Sequence, residues 1–201
     1  MVPRQLSFSS QPAATLTSRS THLRTFIALK PEANIIRQLV ACIDGLQGCG
    51  WSRQVRWTAD SNLHMTLRFI GNTDTSIVAD LLQDLSSNCN PAPIPYEIDN
   101  VLIFRSAKRP SVIAATVADN AQLNELVRIL ETLLQSHGFA AESKSFRGHF
   151  TLGRCRRGFP KGTSIDYPFD PIRSEATQLV LYQSDTRPSG AVYTSLGSIS
   201  L

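Results

Sequence analysis

Two stretches decide how this 201-residue chain is read: "NLHMTLRFIG" at Asn62–Gly71 and "GHFTLGRCRR" at Gly148–Arg157. Each writes His-x-Thr-Leu inside an apolar run, as His64-Met65-Thr66-Leu67 and His149-Phe150-Thr151-Leu152. Side chains alternate faces along a strand, so His64 and Thr66 are expected on one face, with Leu63, Met65, Leu67 and Phe69 on the other. The same alternation sets His149 and Thr151 against Phe150 and Leu152. Two such strands side by side present two imidazoles and two hydroxyls to one groove above an apolar floor. Both strands run on into an arginine, Arg68 or Arg154.

An imidazole titrates near pH 6.5, about neutrality, so a pair can hold one ring neutral and the other protonated. In-line displacement at phosphorus needs that division: a base for the attacking oxygen and an acid for the departing one. Threonine hydroxyls suit the non-bridging phosphoryl oxygens, and arginines offset the charge that builds there. A single His-x-Thr is a weak signal, since a strand histidine is more often structural than catalytic. Two in matching frames, from a chain with four histidines, favour function. The others, His22 and His137, read as a solvent-facing residue and a helix-end residue.

The rest of the chain is consistent with an ordinary globular host. Hydrophobic residues make up 42% and charged residues 18%, and no apolar run is long enough to span a bilayer. Cys42, Cys49, Cys89 and Cys155 show neither C-x-x-C pairing nor zinc-finger spacing, so reduced thiols are expected. A net charge of +4 is modest, but Arg147, Arg154, Arg156, Arg157 and Lys161 crowd the second motif, where their field would draw phosphate. The competing reading of that cluster is a solvated basic loop.

Residues 1–23 are rich in Ser, Thr and Arg, lack acids and periodicity, and read as a disordered N-terminal extension. The same composition also describes an organelle transit peptide. From residue 24 to 201 a single bilobal domain is expected. "RTFIAL" is a strand, and "EANIIRQLVACIDGL" a helix with Ile35, Ile36, Leu39, Val40 and Ile43 inward. "VRWTADSNLHMTLRFIG" supplies a strand closed by Gly71-Asn72, and "DTSIVADLLQDLSS" a second helix. "YEIDNVLIFRS" and "SVIAATVAD" give two strands around a polar tip at Ser106–Pro110. "NAQLNELVRILETLLQSHGF" is a helix stopped at His137-Gly138, "RGHFTLGRC" a strand, and the closing segment two strands with a turn at Arg187–Gly190. Each half therefore holds helices, several strands and one His-x-Thr strand: a duplicated α+β lobe.

At this point the sequence resembles the two-histidine phosphoesterases, and within them the RNA 2′,3′-cyclic phosphodiesterases of the LigT type, first described as 2′-5′ RNA ligases. "RTFIAL", "RWTADSNLHMTLRFIGN", "FRGHFTLGR" and "LVLYQSDTRPSGAVYTSLGSISL" match that family's opening strand, two signature segments and C-terminal hairpin, in order. The resemblance implies an α+β, bilobal, pseudo-twofold fold of two antiparallel sheets with outer helices and a central cleft. It implies His64 as proton donor and His149 as proton acceptor, with Thr66, Thr151, Arg154 and Arg68 at the substrate phosphate. Strict alternation would turn Arg154 toward the packed face, so a bend near Gly153 is required. The implied activity is metal-independent hydrolysis of RNA or nucleotide 2′,3′-cyclic phosphates to 2′-phosphomonoesters, with weak 2′-5′ ligation. The implied protein uses no cofactor or metal and acts as a cytoplasmic monomer on RNA 3′ ends or nucleotides carrying a 2′,3′-cyclic phosphate, with no membrane partner. The competing reading is a non-catalytic nucleotide or RNA-end binding module of the same fold. A His-based metallohydrolase lacks carboxylates at ligand spacing near either motif.

Overall fold

The computed structural model describes residues 21–89, 92–105, 110–188 and 190–201. Most of the expected N-terminal extension and of the expected tip at Ser106–Pro110 lies outside the described residues.

In chain order the elements are β1 (His22–Leu29), α1 (Ala33–Gln47), β2 (Val55–Trp57), β3 (Met65–Asp74), α2 (Val78–Asn88), β4 (Ile94–Arg105), β5 (Pro110–Val117), α3 (Ala121–Ser136), β6 (His149–Cys155), β7 (Ile172–Ala176), β8 (Gln178–Arg187) and β9 (Gly190–Ser200). β1 starts two residues ahead of its expected beginning, with His22 and Leu23 paired to Asp74 and Thr73. The segment read as one strand around the first motif is two, β2 and β3, separated by a short 3-10 turn at Asp60–Asn62. β3 also runs past Gly71, whose positive φ of 88° is absorbed within the strand. β7 has no counterpart in the sequence reading.

Every pairing is antiparallel, and the strand order β7-β4-β5-β6-β3-β1-β8-β9 joins two four-stranded halves into one sheet, with β2 added on β6. The halves repeat one plan. β1–α1–β3 and β5–α3–β6 are each a strand, a helix and a returning antiparallel neighbour, and in each the returning strand carries the His-x-Thr motif. The two motif strands meet in the middle of the sheet at a single registered pair, Met65 with Phe150. Both residues are fully buried, so the join between lobes is an apolar one.

The helices bury one stripe each, as their spacing demands: Ile35, Leu39, Cys42, Ile43 and Leu46 on α1, Leu81 and Leu85 on α2, and Leu123, Leu126, Leu130, Leu133 and Leu134 on α3. These stripes share one core with Met65, Leu67, Phe150 and Leu152 of the motif strands. α3 is opened by the Asn120 side chain, which accepts from the Leu123 amide, and is followed by Gly138 at φ 83°. No helix among the described residues is long and apolar enough to cross a membrane, and none of the four cysteines is joined in a disulfide.

Candidate active site

The site follows from the Met65–Phe150 pair. Continuing its antiparallel register one residue each way sets His64 opposite Thr151 and Thr66 opposite His149. All four side chains leave the sheet on the face away from the buried pair, and all four are partly exposed. Diagonal neighbours of this kind lie about 7–8 Å apart at the backbone, close enough for two long side chains to reach one small group. Repetition of the motif thus becomes a local twofold arrangement, each lobe giving one imidazole and one hydroxyl.

Beyond the threonines the alternation breaks, and at the same place in both motifs. On β3, Ala28 pairs with Thr66 but Ile27 pairs with Arg68, leaving Leu67 as an inserted residue. On β6, Ala114 pairs with Thr151 but Ile113 pairs with Gly153, leaving Leu152 inserted. Each is a β-bulge, which reverses the facing of the residues that directly follow it. Gly153 therefore turns inward, where a Cβ would lie 2.5 Å from Val55 Cγ1 and 3.0 Å from Trp57 Cε3, and Arg154 returns to the histidine face, exposed. This is the bend that Arg154 required.

The same bulge separates Arg68 from the site. Arg68 is 9% exposed on the helix side, where Nε donates to Glu131 of α3 at 2.7 Å and Nη2 to the Ala140 carbonyl at 2.5 Å. Its guanidinium also donates to the Phe69 carbonyl and faces Glu142 at 3.8 Å. The structure brings His64, Thr66, His149, Thr151 and Arg154 together and leaves Arg68 out. Phe69, expected on the packed face, instead stands 56% exposed on the histidine side. It occupies in the first motif the position that Arg154 occupies in the second.

Each imidazole is held by a backbone carbonyl. His64 Nδ1 lies 2.7 Å from the Asn62 carbonyl and His149 Nδ1 2.8 Å from that of Arg147. A carbonyl only accepts, so each Nδ1 carries the hydrogen and each neutral ring turns a lone pair on Nε2 to the groove. His64 Nε2 has the Thr66 hydroxyl at 3.0 Å. Asn62, which the sequence reading passed over, also donates from its side chain to the Ala191 carbonyl at 2.9 Å, fastening the lead-in of His64 to β9.

Aromatic rings fix both imidazoles. His64 lies between Phe26 (5.0 Å between ring centroids) and Tyr193 (5.0 Å, edge-on), with Tyr182 at 6.1 Å. His149 meets the Phe104 ring at 4.9 Å, and Arg147 caps that ring at 4.7 Å. Burial, opposed by the Asn62 carbonyl and assisted by the charges of Arg154 and His149, lowers the pKa of His64 to about 4. His149 is lowered in the same direction, by burial first and then by Arg147 and Arg154 against the pull of the Arg147 carbonyl. Arg154 thus reaches both rings electrostatically, from an exposed position at the groove.

Comparison with known proteins agrees with this architecture. The LigT like Phosphoesterase family profile matches residues 28–114, which contain the first motif. The RNA 2′,3′-cyclic phosphodiesterase of Thermotoga maritima is 27% identical over 177 residues, covering 87% of this chain and 93% of that protein. The enzyme of that name from Aeropyrum pernix is 30% identical over 145 residues, 68% of this chain and 81% of its own length. Among solved structures, the TT0787 protein of Thermus thermophilus superposes with a TM-score of 0.75 at 21% identity over 89% of this chain and 98% of its own. E. coli LigT in complex with 3′-AMP does so with 0.74 at 20% identity, over 90% and 98%. With its two motif strands paired at the centre of a duplicated α+β sheet, and with these relatives along most of its length, the chain belongs to the LigT-like phosphoesterase family.

Proposed function

We propose that the protein is a metal-independent phosphodiesterase that opens a 2′,3′-cyclic phosphate, on an RNA 3′ end or a nucleotide, and leaves a 2′-phosphomonoester. The observation that carries this reading is the Met65–Phe150 register, which sets His64 and His149 on one face of the sheet with a threonine opposite each. Curated relatives named as RNA 2′,3′-cyclic phosphodiesterases support the substrate class.

In this proposal the cyclic phosphate lies between Thr66 and Thr151, whose hydroxyls donate to its non-bridging oxygens, while Arg154 meets the charge that grows in the transition state. His149 Nε2 takes the proton of the attacking water, and His64 Nε2 delivers a proton to the 3′ oxygen as the P–O bond breaks. Both rings are neutral in the free protein near pH 7, so the acid forms on binding. The phosphate anion offsets the positive charge of Arg154 that disfavours protonated His64, and His64 takes up its proton beside it. Phe69, open to solvent beside Phe26, offers a flat face on which the terminal base stacks. An RNA 5′-hydroxyl replacing water would yield a 2′,5′ linkage.

The test is incubation with an RNA ending in 2′,3′-cyclic phosphate, with EDTA present, followed by identification of the product isomer. A 2′-phosphate formed at the same rate with and without EDTA is expected. A 3′-phosphate would reverse the assignment of attacked and leaving oxygens, and loss of turnover in EDTA would refute the metal-independent route.

A further inference from the structure

β2 is three residues long and lies on the edge of β6 that β3 holds at Phe150, so it extends the floor of the groove between the motif strands. Two of its residues are anchors. Val55 is buried, and both Val55 and Trp57 close over Gly153. Trp57 leans on Trp51, which leans on Phe159 of the following loop. The third residue, Arg56, is exposed and registers directly opposite Arg154. Residues paired across antiparallel strands share a face, so the two guanidinium arms rise together on the histidine side.

Like charges directly opposite one another destabilise a strand pair. Neither arginine makes an ion pair or a side-chain hydrogen bond among the described residues, whereas Arg68, Arg128 and Arg173 each hold a carboxylate. An anion is what relieves such a pair, and one scissile phosphate engages only the arm beside the histidines. We infer that Arg56 binds a second phosphate, the one 5′ of the terminal nucleotide, so that the groove recognises the end of an RNA strand rather than a lone cyclic nucleotide. The inference rests on the phosphodiesterase reading. Arg56 suits the role better than Arg156 and Arg157, which follow β6 into a loop turned by Gly158 at φ 94°, because it lies within a strand paired to β6, between the anchors Val55 and Trp57. A pre-positioned cation loses less freedom on binding.

The experiment compares Arg56→Ala with the wild type on three substrates: a nucleoside 2′,3′-cyclic phosphate, the same compound bearing a 5′-phosphate, and an oligoribonucleotide ending in the cyclic phosphate. The expected result is a KM penalty about tenfold larger on the second and third than on the first, with kcat held, and a salt dependence on the oligonucleotide shallower by about one unit. Equal penalties on all three, or none on any, would overturn the assignment. Binding of an RNA ending in 2′-phosphate, followed by fluorescence anisotropy, separates this from the activity itself. If the wild type turns over none of the substrates yet Arg56→Ala weakens that binding, the phosphodiesterase reading fails and the phosphate contact stands. Normal turnover with unweakened binding refutes the contact alone.

Discussion

The surroundings of His64 oppose its protonation strongly. It sits among Phe26, Tyr182 and Tyr193, within the field of Arg154, and can hydrogen-bond the Asn62 carbonyl only through a protonated Nδ1. An unfolded chain protonates a histidine near pH 6.5, whereas here the pKa is about 4. Between those values the unfolded state binds more protons, so His64 contributes stability above pH 6.5 that is lost as the pH falls toward 4. The contribution is about 2–3 kcal/mol. In urea titrations, His64→Asn should therefore lose less stability between pH 7 and pH 4.5 than the wild type does, and an identical decline would show that the imidazole stays hydrated and unperturbed. Both histidines were legible in the sequence because the motif is doubled and its alternation holds as far as the threonines. Asn62 was not, because its part is played by a backbone carbonyl and by a contact to Ala191, far along the chain.

At the scale of the strand, the paired bulges at Leu67 and Leu152 assign the roles. Alternation alone places Arg68 with His64 and Phe69 in the core, and the inserted Leu67 exchanges the two. A bulge is set by how a strand fits its neighbour and has no residue signature at Leu67. On β6 the inward-facing Gly153 offers a hint, since only glycine fits beneath Val55 and Trp57. β2 was merged with β3 and β7 escaped notice for simpler reasons: three residues show no periodicity of their own, and the "IRSEA" of β7 is an edge strand with only Ala176 buried. The exchange predicts opposite phenotypes for neighbouring residues. Phe69→Ala should lower kcat/KM on an RNA substrate about tenfold or more, the worth of one stacked base, with little change in stability. Arg68→Met should cost about 1–3 kcal/mol of stability by leaving Glu131 and the Ala140 carbonyl without their donor, and should spare KM in the folded fraction. The reverse pattern, read by denaturation and steady-state kinetics on both variants, would place Arg68 at the substrate.

In the whole molecule, two copies of one strand–helix–strand plan are joined where their motif strands meet, and the join carries the proposed active centre. The duplicated α+β lobes were legible from helix periodicity and the repeated motif. What the pattern did not show is that the lobes form one continuous sheet, because the link is the single apolar pair Met65–Phe150 and its length leaves no trace in local sequence. That pair makes the central claim a symmetric one: neither imidazole acts without the other. The most direct test is the single-turnover rate on an RNA ending in 2′,3′-cyclic phosphate for the wild type, His64→Ala, His149→Ala and the double variant. Each single variant should lose about 10²–10⁴-fold, the usual contribution of a general acid or base, and the double variant little more than the worse single, since the two act as a unit. A single variant that keeps more than about a tenth of the wild-type rate, too much for a lost acid or base, would contradict the account.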